Sequence, residues 1–299
     1  MKRIVITGGT GFVGRNVLPL LAGSEVHVFD KNQGDLKSVI WHAVDLSDVE
    51  KTKMLLREIQ PTHLLHLAWF VPPNEFWTST ENVAWVYRSF ELLKSFAETG
   101  GKRAVLIGSC AEYDWTSGDY CDENKTPLRP STLYGAAKRS LFELATIYAA
   151  NVGLSLCWAR LFFMFGAGEP ETKFVAYLIK SLLKGEKAVC QNAGLVRDYL
   201  YIKEVAGALT ILLEKDISGA INVASGEPLR IGDLAETIGK ITGRPDKIEF
   251  AKKVSASEPT FVVANTKRLV EETGWKPKHS LETALREYTK QIETADKHN

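Results

Sequence analysis

The chain has 299 residues, of which 45% are hydrophobic and 24% charged, and its formal net charge is +1. That length supports one large domain or two smaller ones with a substantial core. The near-neutral balance, with no basic stripe interleaved with aromatics, gives no footing for nucleic-acid binding. No apolar run approaches the ~20 residues that span a bilayer. A strand pattern starting at Arg3 lacks the anatomy of a secretory signal, so a cytoplasmic location is expected.

In chain order, short apolar runs alternate with longer helical patterns. Strands are expected at Arg3–Thr7, Glu25–Asp30, Ile40–Val44, His63–Ala68, Ala104–Ser109 and Ser155–Leu161. Helices with 3.6-residue periodicity are expected at Val13–Leu21, Val49–Glu58, Asn82–Glu98 and Tyr134–Asn151. Strands apolar at nearly every position are buried on both faces, which calls for a parallel sheet covered by helices on each side. The fold class is therefore α/β, a doubly wound parallel (Rossmann) sheet, over residues 1–165. After the glycine- and proline-rich "FGAGEPETK", residues 166–299 read as a smaller α/β lobe for substrate, with a stretch of about 198–224 returning to the sheet domain. Helical patterns there are "KFVAYLIKSLLKGE", "RIGDLAETIGKITG" and "SLETALREYTKQIETA"; brief strands are "AINVAS" and "PTFVVAN".

The four cysteines, Cys110, Cys121, Cys157 and Cys190, form no CxxC pair, so reduced thiols are expected, not a zinc knuckle or a redox dithiol. His63 and His66 form an HxxH within a strand pattern. Odd spacing in a strand sends two rings to opposite faces, so no metal site is expected.

The first strand runs directly into Thr7-Gly8-Gly9-Thr10-Gly11-Phe12-Val13-Gly14. Glycines at a strand-to-helix turn let backbone approach a pyrophosphate, and the helix that follows offers free N–H groups and the positive end of its dipole. A tight βα turn that merely needs positive φ is the alternative. The second strand ends at Asp30, where a carboxylate can accept from a ribose 2′-hydroxyl and repel a 2′-phosphate, favouring NAD. Lys31 beside it weakens the exclusion of NADP, and a solvated turn aspartate is the plainer alternative.

The TGGTGFVG spacing, GxxGxxG, resembles the glycine signature of the short-chain dehydrogenase/reductase superfamily, in its extended, nucleotide-sugar-modifying branch, the NAD-dependent epimerase/dehydratase family. The resemblance spans nearly the whole chain. It implies cofactor contacts from Gly8, Thr10, Gly11, Phe12, Val13, Gly14 and Asp30, from Asp45 and Leu46 in "AVDLSD", and from Leu67 and Ala68 in "LLHLAW". Trp69 departs from the family's second alanine there. Asn82 matches the asparagine of the family's "NVxG" helix start, although a helix cap would also use it. Tyr134 and Lys138 share a helix face at i and i+4. As bare spacing that is common; with the glycine turn and the family likeness it implies the catalytic pair, both members also meeting cofactor. A lysine ammonium beside the phenol is expected to bring its pKa toward neutrality. Ser109, at the carboxyl end of its strand, completes the implied catalytic set and would steady the substrate's reacting oxygen.

In the second half, "VRDYLYIKEVAGAL", "INVASGEPLRIGDL" and "GWKPKHSLETALRE" extend the resemblance, which implies that Arg197 meets substrate phosphates. A surface ion pair is the alternative for Arg197. Dehydratases of the family follow the serine position with Asp-Glu; here Cys110 and Ala111 stand there, and Glu112 is out of register, which rejects dehydration. Epimerases read "RxFNPxG" where this chain has "RLFFMFG", placing Phe163 at the phosphate-contacting asparagine, and "SASEPT" replaces their arginine-bearing "RxGD". Ser109, Cys110, Phe163 and Arg197 are the expected substrate contacts. The combination looks most like a 4-ketoreductase of a nucleotide-linked 4-keto-6-deoxyhexose; a nucleotide-sugar 4-epimerase and a non-catalytic NAD sensor are the alternatives. Apolar residues in excess of one stripe on Asn82–Glu98 and Tyr134–Asn151 suggest, with the resemblance, a homodimer through a four-helix interface.

Overall fold

A computed structural model of the chain describes residues 2–73, 75–251 and 258–296. Its centre is a parallel sheet of β1 (Arg3–Thr7), β2 (Glu25–Asp30), β3 (Ile40–Ala43), β4 (His63–His66), β5 (Arg103–Ser109), β6 (Ser155–Leu161) and a late strand, Gly219–Val223. The spatial order is β3-β2-β1-β4-β5-β6 with the late strand outermost against β6, every pairing parallel. Ile4, Val5 and Ile6 of β1 and Leu64 and Leu65 of β4 are all buried, so both faces of these strands lie in apolar surroundings. The strand order reverses between β1 and β4. Open α/β sheets bind ligands at the carboxyl ends of the strands beside such a switch.

The helices of the first half are α1 (Phe12–Val17), α2 (Val49–Ile59), α3 (Glu81–Glu98) and α4 (Leu133–Val152). One face of the sheet is covered by α2, α3 and α4, through Leu55, Leu56, Leu92, Leu93, Phe96, Leu141 and Ala145. Caps set the ends of two of them. The Asp48 side chain accepts from Lys51 N at the start of α2, and Thr132 accepts from Gly135 N at the start of α4. Gly153, left-handed at φ 68°, ends α4. The expected Val13–Leu21 helix is shorter than its pattern: α1 stops at Val17 and Leu18–Leu21 forms a 3₁₀ turn. Pro19 explains the break, because it has no N–H to donate and its ring crowds the carbonyl four residues back. The β4 pattern also outruns its strand. Pairing stops at His66, and Leu67 and Ala68 turn over the end of β1.

The second half adds β7 (Phe163–Phe165), α5 (Phe174–Leu183), β8 (Ala188–Cys190), β9 (Val196–Arg197), β10 (Tyr199–Tyr201), α6 (Ile202–Glu214), β11 (Gly219–Val223, the late strand), β12 (Leu229–Arg230), α7 (Ile231–Thr242), β13 (Ile248–Phe250), β14 (Phe261–Val262), α8 (Lys267–Thr273) and α9 (Leu281–Asp296). The other face of the sheet packs on α6 through Val205, Leu209 and Leu212, in a core that continues into α5, α7 and α9. Small sheets of β12-β9-β14 and β10-β7 hold Arg197 and Phe163 beside the ends of the main strands. Among the described residues, no helix is long and apolar enough to cross a membrane.

Candidate active site

The turn after β1 is built from backbone. Gly8 sits at φ +73°, and a Cβ there would lie 2.8 Å from the Ala68 backbone nitrogen. Only glycine combines that torsion with that approach. The turn closes by Gly11 N donating to Gly8 O at 3.2 Å, and α1 begins immediately after it. Thr7 Oγ1 accepts from Ala68 N at 3.2 Å, which joins the ends of β1 and β4. His66 backs this joint, with Nδ1 2.7 Å from Thr7 Oγ1 and Nε2 2.7 Å from Ser89 Oγ. Burial lowers His66 to about 3, so the ring is neutral. Its two nitrogens face hydroxyls, and His63 hydrogen-bonds Thr62.

Asp30 lies across from the glycine turn. One carboxylate oxygen accepts from Thr10 N at 3.0 Å and Thr10 Oγ1 at 2.9 Å; the other accepts from Asn32 N at 3.2 Å. It is thus neither free nor merely solvated: it fixes the turn to the tip of β2. Lys31 pairs with Asp45 at 2.8 Å. Asp45, partly desolvated but hydrogen-bonded by Lys31 and Ser47, is held at about 2. Leu46 beside it is buried. Asn82 is fully buried at the start of α3, where its amide donates to Phe76 O at 2.6 Å and Ser79 O at 2.9 Å.

At the carboxyl end of β5, Ser109 caps a 3₁₀ turn, Cys110–Glu112, its hydroxyl accepting from Ala111 N at 3.1 Å. α4 reaches this turn because Gly135 has no side chain: a Cβ there would meet Ala111 O at 2.2 Å. That approach brings the Tyr134 phenol beside Ser109. Burial pushes the phenol above its usual range, and the Ser109 hydroxyl only partly offsets this. The expected lowering by Lys138 is not present. Lys138 Nζ lies 6.0 Å from the Tyr134 ring centre and donates instead to Ile107 O at 2.8 Å, with the Trp69 ring centre 3.6 Å away. Buried in this way, Lys138 is itself lowered to about 7. Tyr134 is clamped edge-on by Phe76 and Trp77, at ring separations of 5.0 and 5.7 Å.

Glu112 points away from the cleft into the interior. It pairs with Arg160 at 2.8 Å, accepts from Trp158 Nε1 and from Ser109 N at 2.7 Å, and so anchors the serine turn from behind. No local spacing signalled this pair, whose members lie 48 residues apart on separate elements. Across the cleft, the Arg197 guanidinium stands 5.5 Å over the Phe163 ring. Arg197 is 5% exposed, so it is no surface ion pair; its contacts are Val196 O at 2.9 Å and Glu258 at 3.5 Å. Burial lowers its pKa. Cys110 is buried. Of "SASEPT", residues 255–257 lie outside the described residues.

The arrangement gathers Ser109, Tyr134 and Lys138 at the β5 end, Gly8–Gly14 and Asp30 at the switch between β1 and β4, and Phe163 with Arg197 on the far wall. Residues 4–224 match the model of the NAD dependent epimerase/dehydratase family. The chain is similar to UDP-glucose 4-epimerase of Corynebacterium glutamicum, 26% identical over 93% of this chain and 92% of the relative. Among solved structures it resembles Thermotoga maritima UDP-glucose 4-epimerase with UDP-glucose (TM-score 0.87, 21% identity, 98% and 99% covered). It also resembles dTDP-glucose 4,6-dehydratase of Bacillus anthracis with NAD (TM-score 0.84, 20% identity, 99% and 98% covered). The chain belongs to the NAD-dependent epimerase/dehydratase family, the extended branch of the short-chain dehydrogenases/reductases, whose cofactor is NAD.

Proposed function

We propose that the protein reduces a nucleotide-linked 4-keto-6-deoxyhexose at C4, with NADH as the preferred reductant and NADPH as the lesser one. The observation that carries this reading is the meeting of the Ser109 hydroxyl and the Tyr134 phenol at the end of β5. The cradle at Gly8, which a Cβ would fill, fits a dinucleotide. Gly8, Thr10, Gly11, Phe12, Val13 and Gly14 would hold its pyrophosphate, Asp30 a ribose, and Asp45, Leu46, Leu67, Ala68 and Asn82 the remaining contacts. When bound, the nicotinamide supplies hydride to the carbonyl carbon. Ser109 donates a hydrogen bond to the carbonyl oxygen as negative charge grows there. Tyr134 gives its proton to that oxygen. Burial keeps the phenol protonated, the form a donor must have, while a pKa so far above neutrality leaves it a weak acid until the cofactor and substrate are in place. Arg197, its guanidinium over the Phe163 ring, would turn its N–H groups to the diphosphate.

The full-length likeness to UDP-glucose 4-epimerases favours a second reading, 4-epimerisation of a nucleotide sugar with NAD retained. Cys110 and Ala111 at the dehydratase acid–base positions disfavour elimination, and an NAD sensor would not need Ser109, Tyr134 and Lys138 together. Incubation with NADH and a 4-keto-6-deoxy sugar nucleotide separates these readings. A reductase consumes NADH in step with product. An epimerase interconverts C4 epimers with no net consumption, and a sensor does neither.

Residues 1–165 would carry the cofactor and 166–299 mainly the substrate, in a cytoplasmic homodimer. On α3 and α4, Leu92, Leu93, Phe96, Leu141 and Ala145 are spent on the sheet, while Val83, Leu144 and Ile147 remain exposed on the outer face. Light scattering after size exclusion should give twice the chain mass; a concentration-independent monomer would refute the dimer.

A further inference from the structure

The segment leaving β4 places a large indole under the lysine of the catalytic set. The nearest partners of Lys138 Nζ among the described residues are the carbonyl of Ile107 at 2.8 Å and the face of Trp69, whose ring centre is 3.6 Å away; the Tyr134 ring centre lies farther off, at 6.0 Å. The indole is itself fixed. Its Nε1 donates to Asn82 Oδ1 at 2.9 Å, the Asn82 amide is bound by Phe76 O and Ser79 O, and the ring packs at 5.9 Å from Trp85. Trp69, Asn82 and the 76–79 backbone thus make one rigid bracket, and Lys138 rests on it.

We propose that Trp69 is the positioning residue for Lys138: its indole face holds the ammonium at the end of β5, turned from the phenol, and preserves its charge there. A buried ammonium needs compensation, and one carbonyl supplies only part of it. An aromatic face stabilises a desolvated cation more than an exposed one, enough for a tenfold change in proton affinity. The titratable groups facing Lys138 are Glu112 behind β5, His66 on β4 and Tyr134 on its own helix. His66 is neutral, and Glu112, paired with Arg160, acts on Lys138 only through its charge, so the indole and the Ile107 carbonyl are the groups that touch the ammonium. With a small residue at position 69, the lysine would be free to swing toward Tyr134. The inference rests on the reading of Lys138 as a member of the catalytic set, but its test does not.

The full-length protein, labelled with ¹³Cε-lysine and free of substrate, is titrated by NMR, with the Lys138 signal identified by its loss in Lys138→Met. Removing the π face in Trp69→Leu should lower the Lys138 midpoint by about 1 pH unit, a tenfold loss in proton affinity. Trp69→Phe, which keeps a face but loses the Asn82 bond, should fall by less than half as much. A midpoint unchanged or raised in Trp69→Leu, or equally low in both variants, overturns the proposal. If Trp69→Leu does not fold, replacing the seven tryptophans by fluorotryptophans of increasing fluorine content keeps the shape while weakening the face. The midpoint should then step down with each fluorine, and a flat series overturns the proposal. Absence of reductase activity in the wild type would count against the proposed reaction and leave the titration to be judged by itself.

Discussion

The two walls of the cleft are made of different material. One wall, proposed above for the cofactor, is backbone: a glycine turn closed on itself, fixed to Ala68, with Asp30 bonded to Thr10. The opposite wall is side chain: Phe163 from β7, Arg197 from β9 and Glu258 from the loop before β14, each delivered by a separate short element. A backbone wall recognises what all members of a family share, because any change to it breaks the chain's path. A side-chain wall can be rebuilt one residue at a time, and there this chain departs from the epimerase pattern, with Phe163 in place of asparagine.

Tyr134 sits at the seam, so its substitution should change chemistry and neither affinity. Tyr134→Phe is expected to cut turnover by roughly 10²–10⁴, with cofactor and substrate affinities little changed; near-normal turnover would remove Tyr134 from the mechanism. Glu112 holds the seam from behind. Glu112→Ala leaves Arg160 charged and buried without its carboxylate, so unfolding by urea should show a loss of about 3–5 kcal/mol. The two walls should then separate cleanly. Arg197→Ala should raise KM for the sugar nucleotide roughly 10- to 150-fold, the range for a lost charge-assisted hydrogen bond, and spare NADH binding. Asp30→Ser should do the reverse, weakening NADH at the lower end of that range, about tenfold, while NADPH holds or improves. Crossed effects would mean that the walls are assigned the wrong way round. A further effect, confined to acid pH, belongs to the joint between β1 and β4. His66 is held at about 3, below its ordinary 6.5, so the unfolded chain binds more protons between those values. Its contribution is complete above about 6.5 and declines as pH falls, by up to about 1.4 kcal/mol per pH unit. A stability curve of His66→Asn should lack that slope.

The sheet and the glycine turn were legible because their signals are local: apolar runs, the TGGTGFVG spacing and the tip carboxylate each sit within a few residues. The short strands β7, β9 and β12 carry no periodicity to read, since two or three residues hold no pattern, whereas β14 was read within "PTFVVAN". Ser109, Tyr134 and Lys138 were found by spacing and resemblance, but the direction of the lysine was not. It depends on Trp69, far away in sequence, whose departure from the family pattern was visible while its contact was not. The Glu112–Arg160 pair was hidden for the same reason: nothing within either segment shows that the other faces it.

The central claim is that hydride arrives at C4 of a keto sugar while Tyr134 supplies the proton. The most direct measurement uses NADH carrying deuterium at the transferred position, a 4-keto-6-deoxy sugar nucleotide, and mass and NMR analysis of the product. The account predicts one deuterium per product molecule, located at C4, with the amount of product falling roughly 10²–10⁴-fold in Tyr134→Phe while each molecule still formed carries the label. A product lacking deuterium at C4, or C4 epimers interconverted with NADH unconsumed, would contradict it.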